Sequence, residues 1–339
     1  MPGVSTPVVE VDELVKVYPG GTRAVDGISF SVAAGTFLGF LGPNGAGKTT
    51  TIRILATLLR PTSGTARVAG LDVVADASAV RRKVGFAMQT VAIDQLSTGR
   101  ENLELIGRLH RVPASDLRVR VDELLALMGL ADVAGRLAGT YSGGMRRRLD
   151  LASALVHRPE VLFLDEPTEG LDPQSRSALW EELERINRTG TTMILTTHYM
   201  EEADRLCERL AIIDVGRIVV EGSPAELKRS VGADSVELRL IPNEGPGDGL
   251  AASQDEAARL LADLVPVAAI ERTSAGVRLA VPDAERAIPG LMRRLDSGGV
   301  HIEGLSMASP SLDDVFLRHT GKRIRPEEAD RPIDLGWST

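Results

Sequence analysis

Gly42-Pro-Asn-Gly-Ala-Gly-Lys-Thr49 fits the pattern G-x-x-x-x-G-K-[S/T] and lies between an apolar run and a helix-forming one, the context that a phosphate loop requires. Each residue type has a reason. The glycines let backbone N–H groups converge on phosphate oxygens, and a helix opening near Lys48 turns the positive end of its dipole toward them. Lys48 supplies the cation for β- and γ-phosphates, and Thr49 supplies a hydroxyl for Mg²⁺. The expected nucleotide-binding set is therefore Gly42, Pro43, Asn44, Gly45, Ala46, Gly47, Lys48, Thr49 and Thr50. An ordinary glycine-rich turn would need neither Lys48 nor Thr49.

Val161-Leu-Phe-Leu-Asp165-Glu166 is an apolar strand ending in two carboxylates. Successive strand residues face opposite ways, but past the last ladder position both side chains can enter one polar site. Asp165 suits Mg²⁺, directly or through water, and Glu166 suits a general base that aligns water for attack on a γ-phosphate. Alone, an acidic strand end is often just a cap. Beside a phosphate loop it points to triphosphate hydrolysis.

These residues must be held by a scaffold. The chain has 339 residues, 43% hydrophobic and 25% charged, which is globular composition and excludes disordered, collagen-like and disulfide-scaffold classes. Cys207 is the only cysteine, so a cysteine-based metal cluster is excluded. The charge of −8 argues against a nucleic-acid partner. With neither a long apolar run nor a leader pattern, the chain is expected in the cytosol. Short apolar runs alternating with helical stretches over 8–222 predict an α/β domain with a mostly parallel sheet. Its strands are expected at 37–41, 161–164 and 193–197, with an antiparallel subsheet between Val8 and Ala34. Helices are expected at 48–59, 117–128, 145–156, 173–188 and 200–207. Residues 235–319 predict a small α+β accessory domain. There the order is strand 236–241, helix 254–264, strands 267–272 and 276–281, helix 284–295 and strand 300–306, the ferredoxin-like split arrangement. A helix at 311–319 follows. Residues 242–249 read as a loop and 320–339 as a flexible tail.

Further segments give a resemblance. Tyr141-Ser-Gly-Gly-Met145 is similar to the signature sequence of the ATP-binding subunits of ABC transporters. Gln89 stands where that family has its Q-loop, His198 where it has its switch histidine, Gly170-Leu-Asp172 where it has its D-loop, and Tyr18 where an aromatic stacks on adenine. The P-loop ATPase fold with its helical subdomain is implied. Thr98-Gly-Arg-Glu-Asn102 and Pro310-Ser-Leu-Asp-Asp-Val-Phe316 resemble the daunorubicin-resistance type of drug exporter. One departure is the signature itself, where Leu-Ser-Gly-Gly-Gln is commoner; altered packing around Tyr141 and Met145 is expected.

The resemblance implies ATP and Mg²⁺ as ligands, with Glu166, His198, Gln89 and Lys48 catalytic. It implies Thr49, Gln89 and Asp165 at the metal, and Tyr18, Ser142, Gly143, Gly144 and Asp172 at the nucleotide. It further implies a homodimer sandwiching two ATP molecules, and a separate membrane permease contacted around residues 89–105, which would hold the chain at the cytoplasmic face of the membrane. The cargo would be a drug, antibiotic or lipid-like compound. Bland readings stand beside these. Tyr18 fits a core or turn aromatic, His198 a structural histidine, Asp172 a helix cap before Pro173, and Arg146-Arg-Arg148 either a positive patch or a solvated helix face. The other histidines show no metal-ligand spacing. Rival functions are a soluble ABC ATPase and an ATP-dependent drug-sequestering or regulatory protein. The interval from Gln89 to Ser142 is too short for a chromosome-type coiled coil, and no guanine-reading Asn-Lys-x-Asp is present. The accessory domain could brace the dimer, bind the permease or sense a regulator.

Overall fold

Runs such as Phe37–Leu41 and Val161–Asp165 bury every residue, as strands covered on both faces must. They lie inside a six-stranded sheet. The structure, a computed structural model, describes residues 7–242, 249–264 and 270–321. It divides into two compact units, one formed by the residues up to Pro224 and the other by Ala225–Arg318.

In the first unit, β1 (Val9–Val17), β2 (Arg23–Val32), β4 (Ser63–Val68) and β5 (Leu71–Asp72) make an antiparallel sheet ordered β2-β1-β4-β5. The second sheet contains β3 (Phe37–Leu41), β6 (Val84–Ala87), β7 (Val161–Asp165), β8 (Thr192–Thr197), β9 (Arg209–Asp214) and β10 (Arg217–Gly222), ordered β10-β9-β3-β8-β7-β6. Its core pairings are parallel, and β10 is antiparallel to β9. The apolar faces of both sheets enclose α1 (Lys48–Leu55) in one cluster with Phe40, Ile52, Leu55, Phe163 and Ile194. The remaining helices of this unit are α2 (Ala77–Lys83), α3 (Gly99–Leu109), α4 (Ala114–Leu127), α5 (Gly143–Leu155), α6 (Pro173–Asn187) and α7 (Met200–Leu206), while α8 (Pro224–Val231) opens the second unit.

Several expected boundaries shift for local reasons. Helix α1 stops at Leu55 rather than 59, because Thr57 turns left-handed (φ 64°) and the N–H groups of Leu58 and Leu59 both return to Arg53 O. Helix α3 was not expected, although its capping box is plain: Thr98 accepts from Glu101 N while the Glu101 carboxylate accepts from Thr98 N. Helix α5 starts at Gly143 rather than 145, since the Ser142 hydroxyl caps Met145 N and lets two poor helix formers occupy the first turn.

The second unit has β11 (Asp234–Leu240), α9 (Gly249–Leu261), β12 (Ile270–Thr273), β13 (Gly276–Val281), α10 (Ala284–Ser297), β14 (Ile302–Ala308) and α11 (Leu312–Thr320). All strands are antiparallel, in the order β12-β13-β11-β14, which is the ferredoxin-like split arrangement. Val236, Leu238, Val277 and Leu279 pack with Ala257, Leu261, Leu291 and Leu295 from the two long helices. Helix α9 already opens at Gly249, so the expected loop is shorter on that side. Residues 243–248, the first part of the strand expected at 267–272, and the tail from 322 onward lie outside the described residues. Among the described residues no helix is long and apolar enough to cross a membrane.

One half-buried pair has a pH consequence. His110, which caps α3, and His157, just past α5, stack with centroids 3.8 Å apart and planes 11° from parallel. His157 Nε2 donates to Val84 O at 2.9 Å, since a carbonyl only accepts, and its Nδ1 is buried without a hydrogen-bond partner. A proton on Nδ1 would therefore be stranded beside His110 and Arg120. Burial, then those two neighbours, push His157 down to about 4 from 6.5. The unfolded chain takes up this proton below 6.5 and the folded chain only near 4, so stability is lost as pH falls through that window. With a discount for partial exposure, the loss is about 1–2 kcal/mol. His157→Gln is expected to flatten the decline of thermal midpoint between pH 7 and pH 4; an identical slope in variant and parent would contradict it.

Candidate active site

The phosphate loop runs from the end of β3 to α1. Two of its glycines are forced by close backbone. A Cβ on Gly42 would sit 2.1 Å from Ile213 O, and one on Gly47, itself at φ 106°, would sit 2.2 Å from Ala24 O. Only glycine fits there. Gly47 then stands at the N-cap of α1, whose first N–H groups face the loop. Lys48 is 4% exposed, and its ammonium donates to Gly42 O at 2.7 Å and to Pro43 O at 3.0 Å. It also lies 3.7 Å from Glu166 Oε1. Burial lowers its pKa, while Glu166 and Asp165 act in the opposite sense. Tyr18, just beyond β1, has its hydroxyl 3.3 Å from Thr50 Oγ1 and Lys16 Nζ 5.6 Å from its ring.

Asp165 ends β7 and is fully buried. Its Oδ1 accepts from Thr49 Oγ1 and from Thr196 Oγ1, both at 2.7 Å. Its Oδ2 is buried with no hydrogen-bond partner, and Arg53 reaches only to 3.9 Å. Thr49 and Asp165 are thus brought together, but Gln89 does not join them. Its side-chain N–H donates instead to Glu166 Oε2 at 3.3 Å.

Glu166 has φ 45°, a region that side chains other than glycine enter at a cost of order 1–3 kcal/mol and that clusters at functional sites. Neighbours hold it there. Its N–H donates to both O and Oγ1 of Thr196, each at 3.1 Å. Its Oε1 faces Lys48 and, at 3.5 Å, His198 Nδ1. Burial pushes the carboxyl up, but the His198 hydrogen bond and the Lys48 charge more than offset this, so it lies below the ordinary glutamate value. Glu166 is therefore a carboxylate at neutral pH. His198 Nε2 lies 3.7 Å from Glu169 Oε2, which also accepts from the Tyr199 hydroxyl at 3.2 Å. Glu169 is a member of this cluster that the sequence did not single out.

Ser142, Gly143 and Gly144 form the exposed start of α5, and Asp172 caps α6 by accepting from Ser175 N at 2.9 Å and Ser175 Oγ at 2.7 Å. The two starts are neighbours, for a Cβ on Gly144 would lie 2.9 Å from Ser175 Oγ. Among the described residues no hydrogen bond joins Ser142, Gly143 or Gly144 to the phosphate loop. Tyr141 is buried, and its hydroxyl donates to Val133 O at 2.7 Å, a bond that leucine could not make. The three following arginines differ: Arg146 and Arg148 are half-buried, whereas Arg147 leaves the surface altogether. Arg146 donates to Tyr141 O, Arg148 to Met128 O, and Arg147 is buried behind Glu166.

Residues 25–169 match the family profile described as ABC transporter, and residues 222–320 match that of the ATP-binding protein DrrA1-3-like, C-terminal domain. The chain is similar to a daunorubicin resistance ATP-binding protein of Streptomyces coeruleorubidus, 44% identical over 95% of this chain and 98% of that one. A daunorubicin/doxorubicin resistance ATP-binding protein of Streptomyces peucetius is 46% identical over 93% of each. Among solved structures, a dimeric ATP-binding cassette in a post-hydrolysis state with ADP and phosphate matches with TM-score 0.58 and 27% identity, over 63% of this chain and 98% of that one. Phosphate loop, paired carboxylates and these likenesses agree: the chain belongs to the ATP-binding subunits of ABC transporters, of the daunorubicin-resistance type, and is an ATPase.

Proposed function

We propose that this ATPase works as a homodimer at the cytoplasmic face of the membrane and drives a separate permease that exports a hydrophobic drug, antibiotic or lipid-like compound. The observation that carries the reading is the convergence of Lys48, Thr49, Asp165, Glu166 and His198 on one end of the parallel sheet, where open α/β sheets bind ligands. Relatives named for daunorubicin resistance support the cargo class.

In this reading Lys48 exchanges its carbonyl partners for β- and γ-phosphate oxygens, and the open N–H groups of the loop complete the cradle. Tyr18 lies against the adenine. The Thr49 hydroxyl and the unpartnered Asp165 Oδ2 are hard oxygen donors, the set that Mg²⁺ takes, with Gln89 close enough to act on the same phosphate end. Bound there, Mg²⁺ would neutralise phosphate charge. Glu166, ionised and aimed by Lys48, Gln89 and His198, accepts the proton of the attacking water, while His198 senses the γ-phosphate. Ser142, Gly143 and Gly144 present a helix start to solvent rather than to their own loop, so their anion is the ATP held by a second copy. Asp172 on the adjoining helix start lies at the same seam. Residues 89–105 are the proposed permease contact.

Light scattering tests the pairing. With a non-hydrolysable ATP analogue the mass should double, and Ser142→Ala should reduce that doubling; a single-chain mass at saturating analogue would overturn the dimer.

A further inference from the structure

We propose that Arg147, together with Asp150, is a positioning residue that fastens the signature helix α5 to the Gln89 loop and to the backbone that carries Glu166. The observations are distances around one buried guanidinium. Arg147 stands one turn into α5 and is 5% exposed. Its Nε donates to Pro167 O at 2.6 Å, and its Nη2 donates to Asp165 O at 3.3 Å and Glu166 O at 3.4 Å. Its Nη1 donates to Met88 O and to Asp150 Oδ2. The carbonyls on both sides of the left-handed Glu166 thus end on one side chain. Asp150, one turn further along α5, is also buried and accepts from Ala92 N at 3.3 Å. A single helical turn therefore holds the segment containing Gln89 at Met88 and at Ala92.

Only arginine suits this place. Its targets are carbonyl oxygens splayed in several directions, and a planar fork with five donors can reach them at once, whereas an ammonium offers three on a flexible stem. Burying a cation is costly unless it is fully bonded, and here Asp150 balances the charge. Burial pushes the Asp150 carboxyl up to about 6, against the pull of Arg147, so it is ionised at neutral pH. The geometry has a direct consequence for the reaction. Ser142–Gly144 and Arg147 share one rigid helix, so a displacement of the signature end is passed to Gln89 and Glu166 together. Misplacement of a reacting group by about 1 Å can cost 10²-fold in rate.

This inference rests on Glu166 being the base, and the test keeps the two apart. In the full chain, Arg147→Gln and Arg147→Lys should each lower kcat by about 10–100-fold while leaving the Kd for ATP within about twofold, since neither touches the phosphate loop. Failure of lysine to rescue marks the fork, not the charge, as essential. Hydrogen exchange at 88–92 and 165–168 should quicken in both, and Asp150→Asn should loosen 88–92 alone. Unchanged exchange in these segments, kcat within twofold of the parent, or kcat and ATP affinity falling together with the thermal midpoint would each overturn the proposal. If Arg147→Gln does not fold, the lysine and Asp150→Asn variants decide it by the same readouts. Normal turnover in Glu166→Gln would overturn the base assignment, independently of the exchange result.

Discussion

Glu166→Gln is expected to lower ATP turnover by about 10²–10⁴-fold while ATP still binds. The substitution keeps the side chain's length, and the backbone N–H bonds to Thr196 that hold φ at 45° do not involve the side chain. What is lost is proton acceptance. In the parent, His198 and Lys48 keep this carboxyl below its ordinary value despite burial, so it is fully ionised where the enzyme works but a modest base. That combination fits a group that orients water and takes its proton as the new bond to the γ-phosphorus forms and the bond to the departing ADP breaks. Turnover and ATP affinity measured on the same preparation check the expectation. Near-normal turnover would remove Glu166 from the role; loss of ATP binding as well would mean that the variant disturbs the loop beyond the chemistry.

Lys48→Ala should act on binding instead. The lysine is nearly inaccessible, folded onto Gly42 O and Pro43 O, so its ammonium is already positioned at the mouth of the loop before any phosphate arrives. Charge-assisted hydrogen bonds are worth about 1.5–3 kcal/mol each, so the loss of one predicts an ATP Kd raised by about 10- to 10²-fold. Glu166 also loses the cation 3.7 Å away, so its carboxyl should titrate higher in this variant. Nucleotide titration by calorimetry is the check, and an unchanged Kd would contradict the cradle.

The sequence made some parts of this site legible and left others dark for physical reasons. Local patterns carried the loop and the strand ends. Gly42 through Thr49, Asp165 and His198 sit where a strand stops, and short apolar runs that end on polar or glycine residues mark those strands. The accessory unit's strand order was legible too, because helical and alternating stretches follow one another in a diagnostic sequence. Long-range pairing was not. Arg147 lies in a run of three arginines that looks solvated in one dimension, and its partners at 88 and 165–167 are 59 and about 20 positions away. Glu169 looks like any loop acid until the sheet sets it beside His198. Gln89 was expected at the metal, but which of several nearby oxygens a flexible amide faces is decided by packing, and it faces Glu166. Helix α3 was missed although Thr98 and Glu101 spell its cap.

Thr196 donates its hydroxyl to Asp165 and receives the amide of Glu166, and it stands opposite Asp165 in the parallel pairing of β8 with β7. A slip of one place between those strands would carry the hydroxyl to the sheet's other surface, taking one donor from the Asp165 carboxylate and one acceptor from the Glu166 amide. Hydrolysis thereby doubles as a folding reporter: in any library of this chain, the molecules that turn over ATP are those that aligned these two strands correctly, and a screen for turnover selects alignment along with chemistry.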